Sequence, residues 1–398
     1  MLVAGGGIGG LAGALACTRA GWRARVFERA EAFAEVGAGL QLGPNATRLL
    51  QGWGLGEALA AVAAFPGRLA VHDAASHRLL AGMPLGDTLT RRHGAPYATL
   101  HRADLHGVLL DAVRASGEVV LHSGTEARGV TAGAQAVTLA TAATGAGEGS
   151  RRTEVEGDAL LVADGLWSRL REQVAGDGMP RVTGHVAYRS LLRQDDLPAA
   201  QRSADVTVWL GDRLHALAYP VRRGELLNLV VLVQHDPAAE AADPQDWDAA
   251  ATAAELAQAL RGICAPLRAL HEAAPGWRRW RLCDRPPVAG PGALARGRIA
   301  LLGDAGHPML PYLAQGAGMA LEDAAELQRM LAMAVDDVSV CLHRYAQHRW
   351  QRVARVQATA ARNGTVFHAR GPLRWGRNLA MGLLGERLLD QAWLWNGG

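Results

Sequence analysis

A glycine-rich turn, Gly5-Gly6-Gly7-Ile8-Gly9-Gly10, stands between the short apolar segment Leu2–Ala4 and the small-residue run from Leu11 to Ala20, and it constrains this chain more than any other stretch. Strand, turn, helix and a second strand from Arg23 to Phe27 make a βαβ unit. Gly5, Gly7 and Gly10 spell G-x-G-x-x-G, and Glu28 follows the second strand. Glycine lets the chain reverse sharply and lets its backbone touch a pyrophosphate at the positive end of the helix, while an acid after the next strand accepts from ribose hydroxyls. The pattern fits a dinucleotide but does not separate FAD from NAD. A glycine turn without a ligand would carry the same letters.

The 398 residues allow two to three domains at a working size of about 150. With 49% hydrophobic and 20% charged residues, neither disorder nor a collagen-like chain is possible. All 41 basic residues are Arg, which excludes a Schiff-base or P-loop lysine. The net charge of +3 is spread over pairs such as Arg91-Arg92, Arg151-Arg152 and Arg222-Arg223, with no stripe suited to nucleic acid. Cys17, Cys264, Cys283 and Cys341 lie far apart without metal-ligand spacing, so no metal site and a reducing cytoplasm are expected. No apolar run reaches the length of about 18 residues that a membrane span needs, and no leader precedes one.

Further along, Leu105, Val108, Leu109, Ala112 and Val113 repeat with helical spacing up to Gly117, and strands follow at Val119–His122 and Val137–Ala140. The small, glycine-rich stretch Ala142 to Ser150 reads as an exposed hairpin tip before a buried strand at Ala159–Ala163. From Val182 the texture changes. Val206–Leu210, Leu214–Val221 and Leu226–Gln234 read as antiparallel strands of a second, sheet-based domain, with a helical stretch from Ala249 to Ala274 attached. Arg298–Leu302 returns to the first domain's apolar style, and Gly318–Leu331, Val338–His368 and a Trp-bearing segment up to Trp395 read as helices.

Two more clusters carry chemistry. Ala163-Asp164-Gly165-Leu166-Trp167-Ser168-Arg169 follows a buried strand and is expected to open a helix, where Asp-Gly also serves as a plain cap. Leu302-Gly303-Asp304-Ala305-Gly306-His307-Pro308 leads to Leu313-Ala314-Gln315-Gly316-Ala317-Gly318 and a long helix.

With these motifs, and with Gly37 to Asn45, Leu100 to Leu105, Ala163 to Arg171 and Gly303 to Asp323, nearly the whole chain resembles the single-component FAD-dependent aromatic hydroxylases. These share the p-hydroxybenzoate hydroxylase fold, and the salicylate hydroxylase branch is the most similar. The resemblance implies a mixed α/β architecture. A Rossmann-like FAD-binding domain (1–65, 101–180 and 285–330) would carry an inserted, mostly antiparallel substrate domain (66–100 and 181–284), and helices (331–398) would close the back. It implies that Glu28 holds the adenosine ribose, Arg102 contacts the FAD phosphates, Asp304 bonds the ribityl chain, and Asp164-Gly165 serves both FAD and a transient NADH or NADPH. Gly5, Gly7, Gly10, Gly303, Gly316 and Ala317 complete the cofactor set. The helix entered through Gln315 and Gly316 would aim backbone amides at the flavin. A guanidinium at Arg102 suits a phosphate by its fork, although a solvated Arg fits the same spacing.

The chemistry implied is hydroxylation of a phenolic aromatic acid with NAD(P)H and O2 through a C4a-hydroperoxyflavin, the cofactor supplying the oxidant. His215 and Tyr219 sit four apart on one strand, so period two puts both on one face, about 13 Å apart. His215 is the candidate general base toward a substrate hydroxyl, and Tyr219 a hydrogen-bonding partner of the substrate or its carboxylate; a core tyrosine is the alternative. Gln41 stands where hydroxynicotinate-hydroxylating relatives carry His, which favours a benzenoid ring. Arg189 is a candidate partner of a carboxylate, an exposed strand arginine being the commoner fate. Pro308 and Pro311 shape the loop over the flavin. His307 is read as a packing residue, and His101, His106, His343 and His348 make no metal site. Rival readings are a same-fold monooxygenase of a larger polycyclic or heteroaromatic substrate, a non-catalytic nucleotide-binding protein, and a nicotinamide dehydrogenase. A dehydrogenase has no use for the Gly303-Asp304 region. A monomer or homodimer without nucleic-acid or membrane partners is expected.

Overall fold

The computed structural model describes residues 1–34, 37–147, 152–234, 243–246, 248–333 and 337–397. Leu2–Ala4, only three residues long but wholly buried, is an inner strand of a six-stranded sheet. It pairs in parallel with Ala24–Phe27 on one side and Leu160–Val162 on the other; Val119–His122 and Ile299–Leu301 extend the parallel array, and Ala295–Arg296 closes one edge in antiparallel. Strands buried on both faces suit uninterrupted apolar runs such as Leu160-Leu161-Val162. The helix Ile8–Arg19 packs against the sheet and against the helix Gly316–Leu331, which in turn packs on the thirty-residue helix Val338–Phe367.

A second sheet has eight strands in the order Ala249–Ala251, Trp277–Asp284, Arg181–Arg193, Leu226–Gln234, Leu214–Val221, Val206–Leu210, Arg68–Asp73 and Leu79–Pro84. All its neighbours are antiparallel except Val206–Leu210 with Arg68–Asp73. One face is sealed by an apolar cluster that includes Tyr188, Ala216, Ala218, Leu229 and Val231 together with Leu256, Leu267 and Leu270. The other meets Leu310 and Tyr312 from the chain that follows Ile299–Leu301. A short ribbon, Gly39–Leu42 paired with Ala98–His101, lies near its Leu214–Val221 strand. Thr125–Ala132, Val137–Ala143 and Thr153–Gly157 form a separate meander. Of the expected hairpin tip, residues 148–150 lie outside the described ones.

Three expectations are corrected. Ala249 to Ala274 is not one helix: Ala249–Ala251 pairs as an edge strand, Thr252 and Glu255 form a capping box that starts Ala253–Ala257, and Ala265–Glu272 is a second helix beyond Gly262 at φ +73°. An alanine-rich run has the composition of a helix, but sheet pairing and a positive-φ glycine override propensity. Asp164 to Arg169 leads only into a short 3-10 turn, Leu170–Gln173, which ends before the positive-φ glycines Gly176 and Gly178. The C-terminal segment is broken into Gly371–Leu384, Glu386–Leu389 and Ala392–Trp395, with Gly385 at φ +49°.

Candidate functional site

The three glycine-bearing motifs meet at the top of the parallel sheet. Gly5 has φ +100°, and a Cβ there would sit 2.4 Å from Ala163 O; a Cβ on Gly10 would sit 1.9 Å from Gly5 O. Neither position admits a side chain. Gly7 caps the helix Ile8–Arg19 without a side-chain acceptor, so the first amides of that helix point outward. Glu28 accepts from the Gly6 amide at 2.6 Å and from the Ala30 amide at 2.8 Å, which fixes its carboxylate beside the turn. His106 Nε2–H donates to Gly6 O at 2.8 Å and braces the same loop.

Ala163 N–H donates to Ala4 O at 2.8 Å, bringing Asp164 alongside Gly5. Burial raises the Asp164 carboxyl to about 6, the hydrogen bond from Ser168 working the other way. Among the described residues its Oδ1 is buried without a hydrogen-bond partner. Gly303–Ala305 is a single 3-10 turn that leaves Asp304 exposed, and Asp304 Oδ1 lies 3.9 Å from where a Cβ on Gly316 would stand. Gly316 and Ala317 open the helix Gly316–Leu331, whose cap residue Gln315 uses no side chain on it. Arg102 opens the helix Arg102–Ala115, half-buried, its amide donating to Ala38 O at 2.7 Å. Glu28 thus lies beside the Gly5–Gly10 turn, a Cβ on Gly9 would stand 4.0 Å from Gly303 Cα, and Asp304 lies beside Gly316. Two outward helix starts offer amide donors, and the acid and the orphaned carboxyl offer acceptors, that could hold an FAD along its pyrophosphate, ribose and ribityl chain.

A buried ionic cluster sets the loop from Gly303 to Gln315. Asp323 accepts from Gly303 N at 2.9 Å, His307 Nε2 at 2.5 Å and Arg349 Nε at 2.8 Å. Glu322 accepts from Asn45 Nδ2 at 2.8 Å, Arg349 Nη1 at 2.7 Å and Arg352 Nε at 2.6 Å. Burial pushes both carboxyls up, but Arg352 and Arg349 about Glu322, and His307 and Arg349 about Asp323, outweigh it and hold both below the ordinary range. Pro308 is buried, its carbonyl accepting from Gln357 Nε2 at 3.0 Å.

On the eight-stranded sheet, His215, Leu217 and Tyr219 oppose Leu232, Val230 and Asn228 of one neighbour. Arg189 shares that face, opposite Val230. Tyr219 hydrogen-bonds Gln41 and Asn228, Asn228 Oδ1 accepts from Gly39 N at 3.2 Å, and Tyr97 donates its hydroxyl to Gln41. Burial raises Tyr219 and Tyr97 well above the ordinary phenol value. Gln41 and Tyr219 are therefore brought together at one end of the face. His215 stands at the other, its Nδ1 3.0 Å from His368 Nε2 and its ring centroid 5.2 Å from that of Tyr312. Burial, and then His368 and His185, holds His215 well below the ordinary imidazole value, so it is neutral. Burial takes His368 to about 3.

Arg189 corrects the expectation of an exposed strand arginine: it is buried, its Nη2 donates to Asp248 Oδ1 at 2.5 Å, and it lies 5.2 Å from the Trp280 ring. An inward strand position between two neighbours leaves a guanidinium no route to water, so the protein supplies a carboxylate itself. Leu310 and Tyr312, from the loop after Asp304, pack with Ala187, Leu217, Val230 and Leu232 of the sheet face. A cavity of about 650 Å³ opens beside them, lined by His185, Gln234, Asp284, Leu310, Gly364 and His368 among others.

His185, Asn228, Tyr312 and His368 escaped the sequence reading. Period two from Arg189 points to His185, and pairing with Tyr219 points to Asn228; nothing in spacing links His368 to His215.

Among known proteins, a family model described as FAD binding domain matches residues 1–360. A 3-hydroxybenzoate 6-hydroxylase of Polaromonas naphthalenivorans is 37% identical over 403 residues, covering 100% of this chain and 96% of that protein. The solved structure of HpxO from Klebsiella pneumoniae with FAD and uric acid superposes with a TM-score of 0.84 at 26% identity, over 98% of this chain and 94% of that one. A salicylate hydroxylase substrate complex superposes with a TM-score of 0.81 at 26% identity, over 99% and 94%.

Proposed function

This chain belongs to the family defined by that FAD binding domain, and on that premise we propose that it is an NAD(P)H-dependent monooxygenase hydroxylating a phenolic aromatic acid of the hydroxybenzoate type. The observation that carries the reading is the meeting of two parts of the chain. The loop running from Asp304 to Gly316 lays Leu310 and Tyr312 on the sheet face that bears His215 and Tyr219, so the flavin-side loop and a polar-tipped apolar wall are in direct contact.

When bound, FAD reduced by NADH or NADPH supplies an oxygen atom from O2 to the aromatic ring. The chain's own residues do the rest. In this reading Gly5, Gly7 and Gly10 admit the pyrophosphate, Glu28 takes the ribose hydroxyls, Arg102 faces the phosphates, and Asp164 and Asp304 bond the polar chain of the cofactor. Gly303 allows the Asp304 turn, and the amides of Gly316 and Ala317 face the flavin ring. His215, neutral because it is buried, accepts the phenol proton and makes the ring more electron-rich. Tyr219, steadied by Gln41 and Asn228, donates to the substrate carboxylate or hydroxyl. Arg189, neutralised by Asp248, stands on this same wall, and Pro308 borders the flavin loop. Leu217, Val230 and Leu232 keep water from the reacting ring.

The test is direct. Purified protein should be yellow, and hydroxybenzoate isomers should stimulate NADH or NADPH oxidation with formation of a dihydroxylated product. A colourless protein, or oxidation that no hydroxybenzoate stimulates, would remove the reading. The likeness to HpxO with uric acid favours a second reading, a heteroaromatic substrate, which the same screen extended to oxidised purines would detect.

A further inference from the structure

Arg189 is a buried cation on a largely apolar wall, and the carboxylate that meets it is not buried with it. Its side chain is 5% exposed and that of Asp248 is 33% exposed, with Nη2 donating to Asp248 Oδ1 at 2.5 Å. The backbone at Asp248 is fixed: Arg278 Nη1 donates to its carbonyl at 3.2 Å, and the next residue, Ala249, pairs with Arg279 at the sheet edge. The side chain is therefore the part that can move. When it turns outward the carboxylate regains water, while the guanidinium stays where water does not reach. The pair is lopsided: Arg189 needs an anion in place more than Asp248 needs a cation.

On the hydroxylase reading, on which this inference rests, the same wall receives the aromatic acid. Val230 stands between Arg189 on one neighbouring strand and Leu217 on the other, and Leu217 lies midway between His215 and Tyr219. Two strand spacings, about 10 Å between backbones, separate Arg189 from Leu217, and side chains reaching in from both sides leave a span suited to one aromatic ring over Val230. Leu217, Val230 and Trp280 are only half-buried although they sit inside the sheet, so the floor of that span keeps open surface. Burial raises the Tyr219 hydroxyl, and Gln41, Asn228 and the Arg189 charge draw it back, so the cation is felt at the Tyr219 end of the face.

We propose that Asp248 is a displaceable stand-in for the substrate's carboxylate: an aromatic acid lying over Val230 takes its place on Arg189 and presents its hydroxyl toward His215. One carboxylate replaces another, so the exchange leaves the charge around Arg189 unchanged. A neutral phenol brings no anion and meets Arg189 already engaged, which makes Asp248 and Arg189 together a selector for acids. The device has a cost. An acid binds only the fraction of molecules in which Asp248 has let go, and its apparent affinity is reduced by that fraction. A neutral ring, which leaves the pair closed, bears no such reduction.

Binding is read from the change in flavin absorbance of the FAD-loaded protein, titrated with a hydroxybenzoate and with the matching hydroxybenzamide. Asp248→Asn should bind the acid about tenfold or more tightly, the scale of releasing one charge-assisted hydrogen bond, and should bind the amide as the native protein does. Arg189→Met should weaken acid binding by about tenfold or more and leave the amide near its native constant. Asp248→Asn keeps the side chain's shape at a half-exposed position and decides alone if Arg189→Met does not fold; lost packing cannot produce a gain in affinity for acids only. Acid binding that is unchanged or weaker in Asp248→Asn, or acid and amide constants that move together in either variant, would overturn the proposal. Neither constant depends on turnover, so a native protein that shows this exchange yet hydroxylates no hydroxybenzoate would sink the hydroxylase reading and leave the role of Asp248 standing.

Discussion

His215 Nδ1 lies 3.0 Å from His368 Nε2, joining the middle of the eight-stranded sheet to the end of the longest helix. One hydrogen occupies that contact. For His215 Nε2 to accept a phenol proton, Nδ1 must hold the hydrogen and donate it to His368. As base, His215 thus requires His368 Nε2 to be the acceptor in this contact.

His215→Ala should lower product formation by about 10² to 10⁴ while substrate still stimulates NAD(P)H oxidation, the electrons leaving as hydrogen peroxide. His368→Phe should lower coupling in the same direction, and His368→Gln, whose amide oxygen can accept from Nδ1, should restore most of it. Peroxide and product are measured side by side. An unchanged product yield in His215→Ala would clear that residue of any role as base.

The same pair sets an acid limit on stability. Burial, then His185 and Arg377, brings His368 to about 3, and burial, His368 and His185 hold His215 well below its ordinary value. A histidine with a depressed value in the folded state binds fewer protons folded than unfolded. Its contribution is intact above the ordinary value of about 6.5 and is lost as pH falls toward 3, at up to about 1.4 kcal/mol per pH unit for each ring. Melting temperature should fall steadily below pH 6.5 and fall less steeply in His368→Phe. Identical acid limbs would mean that the two rings do not control it.

Asp304 is exposed on its 3-10 turn and points beside the start of the Gly316–Leu331 helix. Among the described residues no hydrogen bond or ion pair holds its carboxylate there. Asp304→Ala should therefore keep the native circular dichroism and melting temperature of the flavin-free protein while binding FAD at least about tenfold more weakly, the scale of one or two charge-assisted hydrogen bonds. The ratio of flavin to protein absorbance after gel filtration reports it. Full retention of flavin would take Asp304 out of the site.

How much of this is legible in the sequence depends on whether a feature is local. The βαβ start is legible because Gly5, Gly7, Gly10 and Glu28 act within one turn of chain, and the antiparallel strands from Val206 to Gln234 declare themselves by short apolar runs between turns. The face shared by His215 and Tyr219 follows from period two. Arg189 was the hard case: alternation places it on that face, but its burial depends on Asp248 and Trp280 arriving from other strands and loops. The partner of His215 comes from 153 positions away, and the strand within the alanine-rich stretch after Asp248 exists only because Trp277–Asp284 offers an edge. Local composition carries no trace of such partners.

The acidic pair Glu322-Asp323 is the clearest example of a site support hidden in a helix. Arg349 bridges both carboxylates, 5% exposed in its side chain against 6% and 0% for theirs, and Asp323 in turn holds Gly303 N and His307 at the root of the Asp304 loop. Removing the guanidinium leaves two buried carboxylates short of a counter-charge, a defect typically costing about 3–5 kcal/mol. Arg349→Met should therefore lower the melting temperature sharply and weaken FAD binding as well, because the loop loses its anchor. Arg349→Lys should fall between the two, since a single ammonium cannot present separate donors to Asp323 and Glu322 in the fork that Nε and Nη1 provide. The folded carboxylates are held below their ordinary values, so this stability is present above the ordinary carboxylate range and lost as pH falls below that range toward the depressed folded values, an acid loss that Arg349→Met should lessen while Arg352 and His307 keep part of it. Calorimetry of the native and variant proteins from pH 7 to pH 3 decides the matter. A native-like melting temperature in Arg349→Met would show that the two carboxylates find water or each other's proton instead, and that the loop around Asp304 stands without them.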